Sequence, residues 1–328
     1  MAMRVDPRII SSPEYDIHFL GIEKLHPFDT RKYGHAWQAL RRHFGAEVQW
    51  RTQQPEDEIS REDLLLVHTE SYLDSLQSPA VIARAVEMLM LASLPYRLLR
   101  SRLLRPMLLA TRGTVEAAFE ALQNGLVINL SGGYHHASAD RGEGFCLYAD
   151  IPIAIEKLRQ SGALPRDQQA VIIDLDAHQG NGYARVYYHR SDVFIFDMYN
   201  QALYPRDLYA RERIDYAIAV NSGLNGSAYI DLVRRKLPEA LARAYKPGIA
   251  FYIAGTDIAE DDLLGEMRVP EDIVFERDRF VIDTLMEAGI PLVVVMGGGY
   301  SHTSYRMITR SIAYVLERWG DRATTTFV

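Results

Sequence analysis

The feature that most constrains the fold is an apolar run that ends abruptly in charged residues, within residues 171 to 182. The β-branched residues up to Ile173 are typical of a strand that is buried on both faces, and Gly180 and Gly182 predict a turn before the next helix. If the extended geometry persists beyond Ile173, Asp174, Asp176 and His178 project from the same side of the chain at a spacing of two. We therefore expect a buried strand whose carboxyl end carries polar chemistry.

The alternation of strand, polar loop and helix recurs along the C-terminal two thirds of the chain. Further apolar runs predict strands at 126–130, 193–196, 216–220, 249–253 and 291–296. Helical patterns lie between several of them, and a mostly helical stretch precedes the first. Pro95 and Pro106 are expected to break that stretch into pieces. This pattern predicts the α/β class, with a mostly parallel sheet flanked by helices on both faces. A length of 328 residues leaves one or two domains open.

Composition and charge argue against several classes of protein. Hydrophobic residues make up 48% of the chain and charged residues 24%, which is the composition of an ordinary globular core. The formal net charge of -7 argues against a general nucleic-acid binder, and the arginines at 97–112 are interpreted as a solvated helix face rather than an anion site. A single cysteine, Cys146, fits a reducing compartment. With no signal peptide and no run of the ~20 apolar residues needed to span a bilayer, we expect a soluble cytoplasmic protein.

Four predicted strand ends carry groups that suit catalysis. The ends of parallel strands meet at one edge of a sheet, so we expect these groups to converge. They are His135 and His136 after the first strand, Asp174, Asp176 and His178 after the second, Asp257 after the strand at 249–253, and Tyr300 after the last.

This set of residue types points to one metal ion and to hydrolysis. Two aspartates and one histidine around zinc leave a position open for water and substrate, as in catalytic rather than structural sites. A histidine pair can move protons between water and a leaving amine, and a tyrosine after glycines can donate to an oxyanion. The sequence therefore predicts a hydrolase of an amide or related acyl bond.

Simpler interpretations exist for single members of the set. Asp257 could cap a turn, and Phe145 is interpreted as a core residue from its pattern alone. Asp261 and Asp262 are interpreted as solvated, and the loop at 25–29 as either a capped turn or part of a site mouth. Two metal ions would need further ligands close to residues 176 and 257, and the sequence offers few.

Several segments resemble the zinc-dependent histone deacetylase superfamily, and most closely its class IV. The resemblance runs from about residue 9 to residue 315. Its motifs are Ser-Gly-Gly-Tyr-His-His at 131–136, Asp-Arg-Gly-Glu-Gly-Phe-Cys-Leu-Tyr-Ala-Asp at 140–150, Asp-Leu-Asp-Ala-His-Gln-Gly-Asn-Gly at 174–182, Ala-Gly-Thr-Asp at 254–257 and Gly-Gly-Gly-Tyr at 297–300. Gly-Ile-Glu-Lys-Leu-His-Pro-Phe-Asp at 21–29 is especially similar to class IV.

The resemblance implies the arginase/deacetylase fold in one catalytic domain over residues 1–328. It implies zinc held by Asp176, His178 and Asp257, and a structural potassium ion bound by backbone carbonyls of 174–178 and of a loop near Asp197 and Met198. The resemblance also implies the roles of the other site residues. His136 would be the general base and acid, with Asn181 as the hydrogen-bond partner of its ring. His135 would be its electrostatic partner, oriented by Asp174. Tyr300 would donate to the oxyanion, and the substrate channel would be formed by Gly144, Phe145 and Tyr204.

Two departures from class I members bear on the substrate. Gln179 and Asn181 stand where class I members carry a second His and an Asp, and 90–110 holds no clear counterpart of the class I rim aspartate. The leading hypothesis is hydrolysis of N-acyl-lysine in a protein, with an acetyl or longer acyl chain. The alternatives are an acetylpolyamine or other small acylated amine as substrate, or a deacetylase-like scaffold without turnover.

Overall fold

The computed structural model describes residues 5–18 and 31–320 of the chain. Within these residues eight strands form a single sheet in the order β2-β1-β3-β8-β7-β4-β5-β6, and every neighbouring pair is parallel. The strands are β1 Arg8–Ile10, β2 Thr52–Gln53, β3 Leu126–Asn129, β4 Gln169–Asp174, β5 Val193–Asn200, β6 Tyr216–Val220, β7 Pro247–Ile253 and β8 Leu292–Val295. The predicted α/β class and parallel sheet are confirmed.

Helices cover both faces of this sheet. They are α1 Lys32–Phe44, α2 Ala46–Trp50, α3 Arg61–Leu64, α4 Glu70–Ser75, α5 Pro79–Ala85, α6 Tyr96–Leu99, α7 Arg105–Asn124, α8 Asp150–Ser161, α9 Asn181–Val186, α10 Leu208–Arg213, α11 Gly226–Leu241, α12 Glu271–Glu287 and α13 Ser304–Trp319. None of the described helices is long and apolar enough to cross a membrane.

The central strand β4 shows why its sequence is apolar throughout. Ala170 and Ile172 pack into the core on one face of the sheet, whereas Val171 and Ile173 pack into the core on the other. Successive strand residues point to opposite faces, so a strand covered by helices on both sides needs an uninterrupted apolar run.

The two prolines of the helical stretch before β3 act differently. Pro95 precedes the start of α6, as expected of a residue that breaks a helix. Pro106 was also expected to break the helix, but the chain continues from α6 through a π-helical turn at Arg100–Leu104 into α7, whose first turn contains Pro106.

Three of the five arginines at 97–112 contact carboxylates: Arg100 and Arg105 contact Glu58, Arg105 also contacts Glu14, and Arg112 contacts Glu116. Arg97 and Arg102 are exposed to solvent, in agreement with a solvated helix face. The motif at 21–29 lies outside the described residues.

Candidate active site

The predicted site residues come together at the carboxyl edge of the sheet. The strands β3, β8, β7 and β4 are consecutive neighbours in its centre. The segments that follow them carry the two histidines, Tyr300, Asp257 and the Asp176–His178 pair, respectively. Strand β4 ends at Asp174, so the extended geometry does not persist to His178. Even so, the loop turns all three polar side chains into the same site.

Asp176, His178 and Asp257 form a buried cluster that can hold a metal ion. Each offers one ligand atom, and these atoms lie within 4.8 Å of one another. Nδ1 of His178 is 3.1 Å from Oδ1 of Asp176 and 2.9 Å from Oδ2 of Asp257. Two carboxylates and one imidazole suit zinc and leave a coordination position for substrate. The donor set therefore fits the metal that the sequence predicts.

Backbone groups orient the two aspartates of this cluster, and burial of both carboxylates favours a cation beside them. The N–H of Ala177 donates to Oδ1 of Asp257 at 2.9 Å, and the N–H of Gly298 donates to Oδ2 of Asp176 at 2.6 Å. Burial and the nearby Asp176 carboxylate raise the pKa of Asp257 to about 7. The two buried carboxylates repel each other, and a bound dication would offset that repulsion.

The two histidines have different partners. Nδ1 of His135 is 2.8 Å from Oδ2 of Asp174, which also accepts a hydrogen bond from the Tyr183 hydroxyl at 2.9 Å. Nδ1 of His136 is 2.8 Å from Oδ1 of Asn181. One imidazole is thus backed by a carboxylate and the other by a neutral amide.

These partners separate the acid–base behaviour of the pair. Burial lowers the pKa of His135, but the carboxylates of Asp176 and Asp174 outweigh it and raise this pKa to about 9. Burial lowers the pKa of His136 well below its ordinary value, and the neighbouring His135 adds to that effect. His136 is therefore neutral at pH 7 and can accept a proton, whereas His135 carries the positive charge.

A cavity of about 290 Å³ leads to these groups. It is lined by Glu87, His136, Gly144, Phe145, His178, Leu203, Tyr204, Leu263, Leu264, Glu266 and Tyr300. The Phe145 side chain, interpreted from its pattern as a core residue, is only half-buried: it packs against the core and also faces the cavity. A second, inner cavity of about 30 Å³ lies among Tyr33, Tyr134, the two histidines and the glycines at 297 and 298.

The loop that carries Tyr300 is held by a buried carboxylate, Asp262. Its Oδ2 accepts hydrogen bonds from the backbone N–H groups of Tyr300 at 2.6 Å and Ser301 at 3.2 Å. The expectation that Asp262 is solvated was wrong: its residue is 5% exposed, whereas Asp261 is exposed as expected. Burial raises the pKa of the Tyr300 phenol well above its ordinary value, so this group keeps its proton.

Two buried cations also support the site, and neither was predicted. Nζ of Lys32 donates to the carbonyl oxygens of Gly297 at 3.0 Å and Gly299 at 3.3 Å. Nη1 of Arg277 donates to the carbonyl oxygens of Leu175 at 3.1 Å and Gly255 at 2.7 Å. No sequence signal separates these side chains from the many solvated ones on amphipathic helices, because their partners are backbone atoms of distant loops.

Comparison with known proteins gives a consistent result. A family model described as "Histone deacetylase domain" matches residues 26–316. Histone deacetylase 2 of Arabidopsis thaliana is 42% identical over 311 residues, which cover 93% of this chain and 77% of that protein. A probable deacetylase of Methanothermobacter thermautotrophicus is 27% identical over 302 residues, covering 89% of this chain and 85% of that protein. The crystal structure of the HDA15 HD domain, at 20% identity, superposes with a TM-score of 0.72 over 96% of this chain and 88% of that one, which confirms the fold.

Proposed function

The chain belongs to the histone deacetylase family, whose members are deacetylase-type amidohydrolases, and from this premise we propose that it hydrolyses the amide bond of N-acyl-lysine in proteins. The observation that carries the proposal is the buried Asp176, His178 and Asp257 cluster, which shares one cavity edge with His136 and Tyr300. The reaction consumes one water and yields a carboxylate and a free lysine amine. We further propose that residues 1–328 act as one catalytic domain.

In this proposal Asp176, His178 and Asp257 hold one zinc ion. When bound, the ion supplies a positive charge that polarises the acyl carbonyl and makes water more acidic. The resemblance noted above and the donor set of the site both support zinc. The class IV assignment rests on Gln179 and Asn181 and on the similarity to class IV at residues 21–29.

His136 is proposed to move the proton. Its Nδ1 faces Asn181, so Nε2 is the nitrogen left for the cavity that the ring lines. Neutral His136 accepts a proton from the attacking water and then donates it to the nitrogen of the leaving amine. His135, whose Nδ1 is held by Asp174, is proposed as its electrostatic partner.

Tyr300 is proposed to stabilise the oxyanion. Its ring lies against that of His178, with centroids 5.9 Å apart, and its phenol is protonated at neutral pH. A phenol hydrogen directed at the carbonyl oxygen binds more tightly as negative charge develops there, which lowers the barrier. Gly144, Phe145 and Tyr204 would form the wall along the lysine side chain.

A small acylated amine is the second candidate substrate. Two carboxylates, Glu87 and Glu266, line the cavity together with apolar leucines, and they would attract the ammonium groups of an acetylated polyamine. The same charges would attract basic residues that flank an acylated lysine. The acidic cavity wall therefore favours a cationic substrate of either kind.

We also propose that a structural potassium ion binds close to the zinc site. Asp197 is fully buried, and its Oδ1 has no hydrogen-bond partner among the described residues. Asp197 and Met198 lie within strand β5 rather than in the loop that the sequence predicted, and Asp197 pairs in register with Asp174 on β4. A monovalent cation at the carbonyls close to these residues would offset the unsatisfied oxygen.

The decisive experiment compares rates on acyl-lysine peptides, from acetyl to myristoyl, with rates on acetylated polyamines. Hydrolysis of peptides with a higher kcat/KM supports the proposal, and a preference for polyamines would replace it with the second candidate. The variants His136→Ala and Tyr300→Phe should retain zinc and lose turnover. No hydrolysis of any substrate by the zinc-loaded protein would leave the scaffold interpretation.

A further inference from the structure

The amide of Asn181 lies between the histidine that we propose as the base and a carboxylate outside the catalytic set. Its Oδ1 is 2.8 Å from Nδ1 of His136, and its Nδ2 donates to Oε1 of Glu143 at 2.7 Å. Asn181 is 1% exposed and His136 is 4% exposed, so water reaches neither side of the first contact easily. The three side chains form a continuous chain of hydrogen bonds.

The orientation of this amide decides which nitrogen of His136 carries the proton. With Oδ1 towards His136, Nδ1 is the donor and Nε2 is free to accept a proton. With the amide reversed, Nδ2 would donate to Nδ1, and the proton of the neutral ring would move to Nε2. That tautomer cannot act as a base towards the cavity.

Glu143 selects between these two orientations. The oxygen and nitrogen ends of an amide have nearly the same shape, so hydrogen-bond partners determine which end faces which way. An ionised carboxylate only accepts hydrogen bonds, and a reversed amide would bring Oδ1 of Asn181 against Oε1 of Glu143. The carboxylate therefore keeps the NH₂ end on its own side.

We propose that Glu143 is a positioning residue that fixes the amide of Asn181 and, through it, the proton-accepting tautomer of His136. This inference rests on the proposed function, in which His136 is the base. Glu143 does not touch the reacting atoms. It acts through Asn181, which separates its carboxylate from the imidazole.

The backbone of Glu143 is held independently of its side chain. Its N–H donates to the carbonyl oxygen of Cys146 at 3.1 Å, and the N–H of Cys146 donates back to the carbonyl oxygen of Glu143 at 2.9 Å. Between them Gly144 and Phe145 both have positive φ, 55° and 64°, which completes a tight turn. Because this turn does not depend on the carboxylate, removal of the side chain tests its contacts with Asn181 and Tyr204 rather than the loop.

The first test compares Glu143→Ala with Glu143→Gln. The alanine variant should lower kcat roughly 10-fold with little change in KM, which is less than the ~10²-fold or larger cost of losing a base. The glutamine amide can either accept from Asn181 or donate to it, so this variant no longer selects one orientation and should recover only part of the loss. Asp140→Ala removes an exposed carboxylate from the same loop and should leave kcat unchanged.

A reciprocal exchange tests the polarity of the contact. Asn181→Asp alone places a carboxylate against Glu143 and should be severely impaired. Adding Glu143→Gln should restore activity, because the glutamine amide can donate to Asp at position 181. Equal impairment of the single and double variants would overturn the proposal.

The tautomer can be measured without any substrate. In zinc-loaded protein with ¹⁵N-labelled histidine, the His136 signals, identified by their loss in His136→Asn, should show an Nδ1–H tautomer in the natural protein and a mixture in Glu143→Ala. An unchanged tautomer in Glu143→Ala would refute the role of Glu143. If the natural protein hydrolyses no acyl substrate, the proposed function fails, and this measurement still decides the positioning role.

Discussion

Replacing Asp262 by asparagine tests whether the loop that carries Tyr300 must be held in place. Each carboxylate oxygen of Asp262 accepts from two backbone N–H groups: Oδ2 from Tyr300 and Ser301, and Oδ1 from Leu264 at 2.9 Å and Gly265 at 3.2 Å. Asparagine has one acceptor oxygen, so its NH₂ group must face one of these two pairs. Whichever pair loses its acceptor, the side chain no longer ties the two loops together.

The expected cost follows from the two backbone N–H groups that the asparagine amide cannot serve. In either pair one contact is buried and the other is partly buried. A buried N–H group without an acceptor costs about 1–3 kcal/mol and a partly buried one less, so we expect Asp262→Asn to lower the free energy of unfolding by roughly 1–4 kcal/mol. Complete loss of an oxyanion donor lowers kcat ~10²–10³-fold. The decrease in kcat caused by a displaced Tyr300 cannot be larger than that. We expect a decrease in kcat of about 10-fold or more within that limit.

Denaturant unfolding and steady-state hydrolysis of an acetyl-lysine peptide measure both effects. Asp261→Asn is the matched control, because its exposed carboxylate accepts only from the hydroxyls of Ser301 and Thr303, and we expect it to cost about 1 kcal/mol or less. In a Tyr300→Phe background, Asp262→Asn should cause little further loss of kcat, since it acts through that phenol. An unchanged kcat, or an equal loss in both backgrounds, would refute the reasoning.

Three further predictions concern buried groups of the same chain. Burial lowers the pKa of His68 to about 4, and its Nε2 accepts a hydrogen bond from the N–H of Ala149 at 3.0 Å. As the pH falls, His68 is therefore protonated in the unfolded chain before it is protonated in the folded protein. The free energy of unfolding should therefore fall by about 3 kcal/mol between pH 6.5 and pH 4, and His68→Gln, compared by denaturant unfolding, should lose this dependence. Tyr300→Phe should lower kcat ~10²–10³-fold while metal analysis still finds one zinc per chain, and retained turnover would contradict its role. Asp257→Asn should lose the zinc that the natural protein keeps through dialysis, whereas two ions per natural chain would contradict a single-metal site.

The sequence predicted the parts of the site that follow directly from local pattern. A β-branched run that stops at Asp174 identifies both the strand and the edge of the sheet at which the catalytic groups lie. Because both faces of the strand are buried, a carboxylate can follow it only at its end. Asp262 could not be predicted in the same way. Its neighbours Asp261 and Leu263 are exposed, and its burial depends on the loop at 297–301, which only the assembled sheet brings beside it. Lys32 and Glu143 were missed for the same reason, since their partners lie far away in the sequence.

The glycines around the site have a more specific role than flexibility. A Cβ at Gly298 would lie 2.5 Å from Oδ2 of Asp257 and 2.7 Å from Oδ2 of Asp176, and a Cβ at Gly255 would lie 2.5 Å from Oδ2 of Asp176. Atoms at such distances overlap, so any side chain there would displace the carboxylates that we propose as metal ligands. The absence of a side chain is also what allows the N–H of Gly298 to reach Asp176 at 2.6 Å. The main role of Gly298 is therefore to leave room for the two carboxylates and to donate a hydrogen bond to Asp176. The position of the Tyr300 phenol depends instead on Asp262, which binds the backbone of Tyr300, and on Lys32, which binds the backbone of Gly297 and Gly299. The glycines that admit the carboxylates cannot themselves fix the loop.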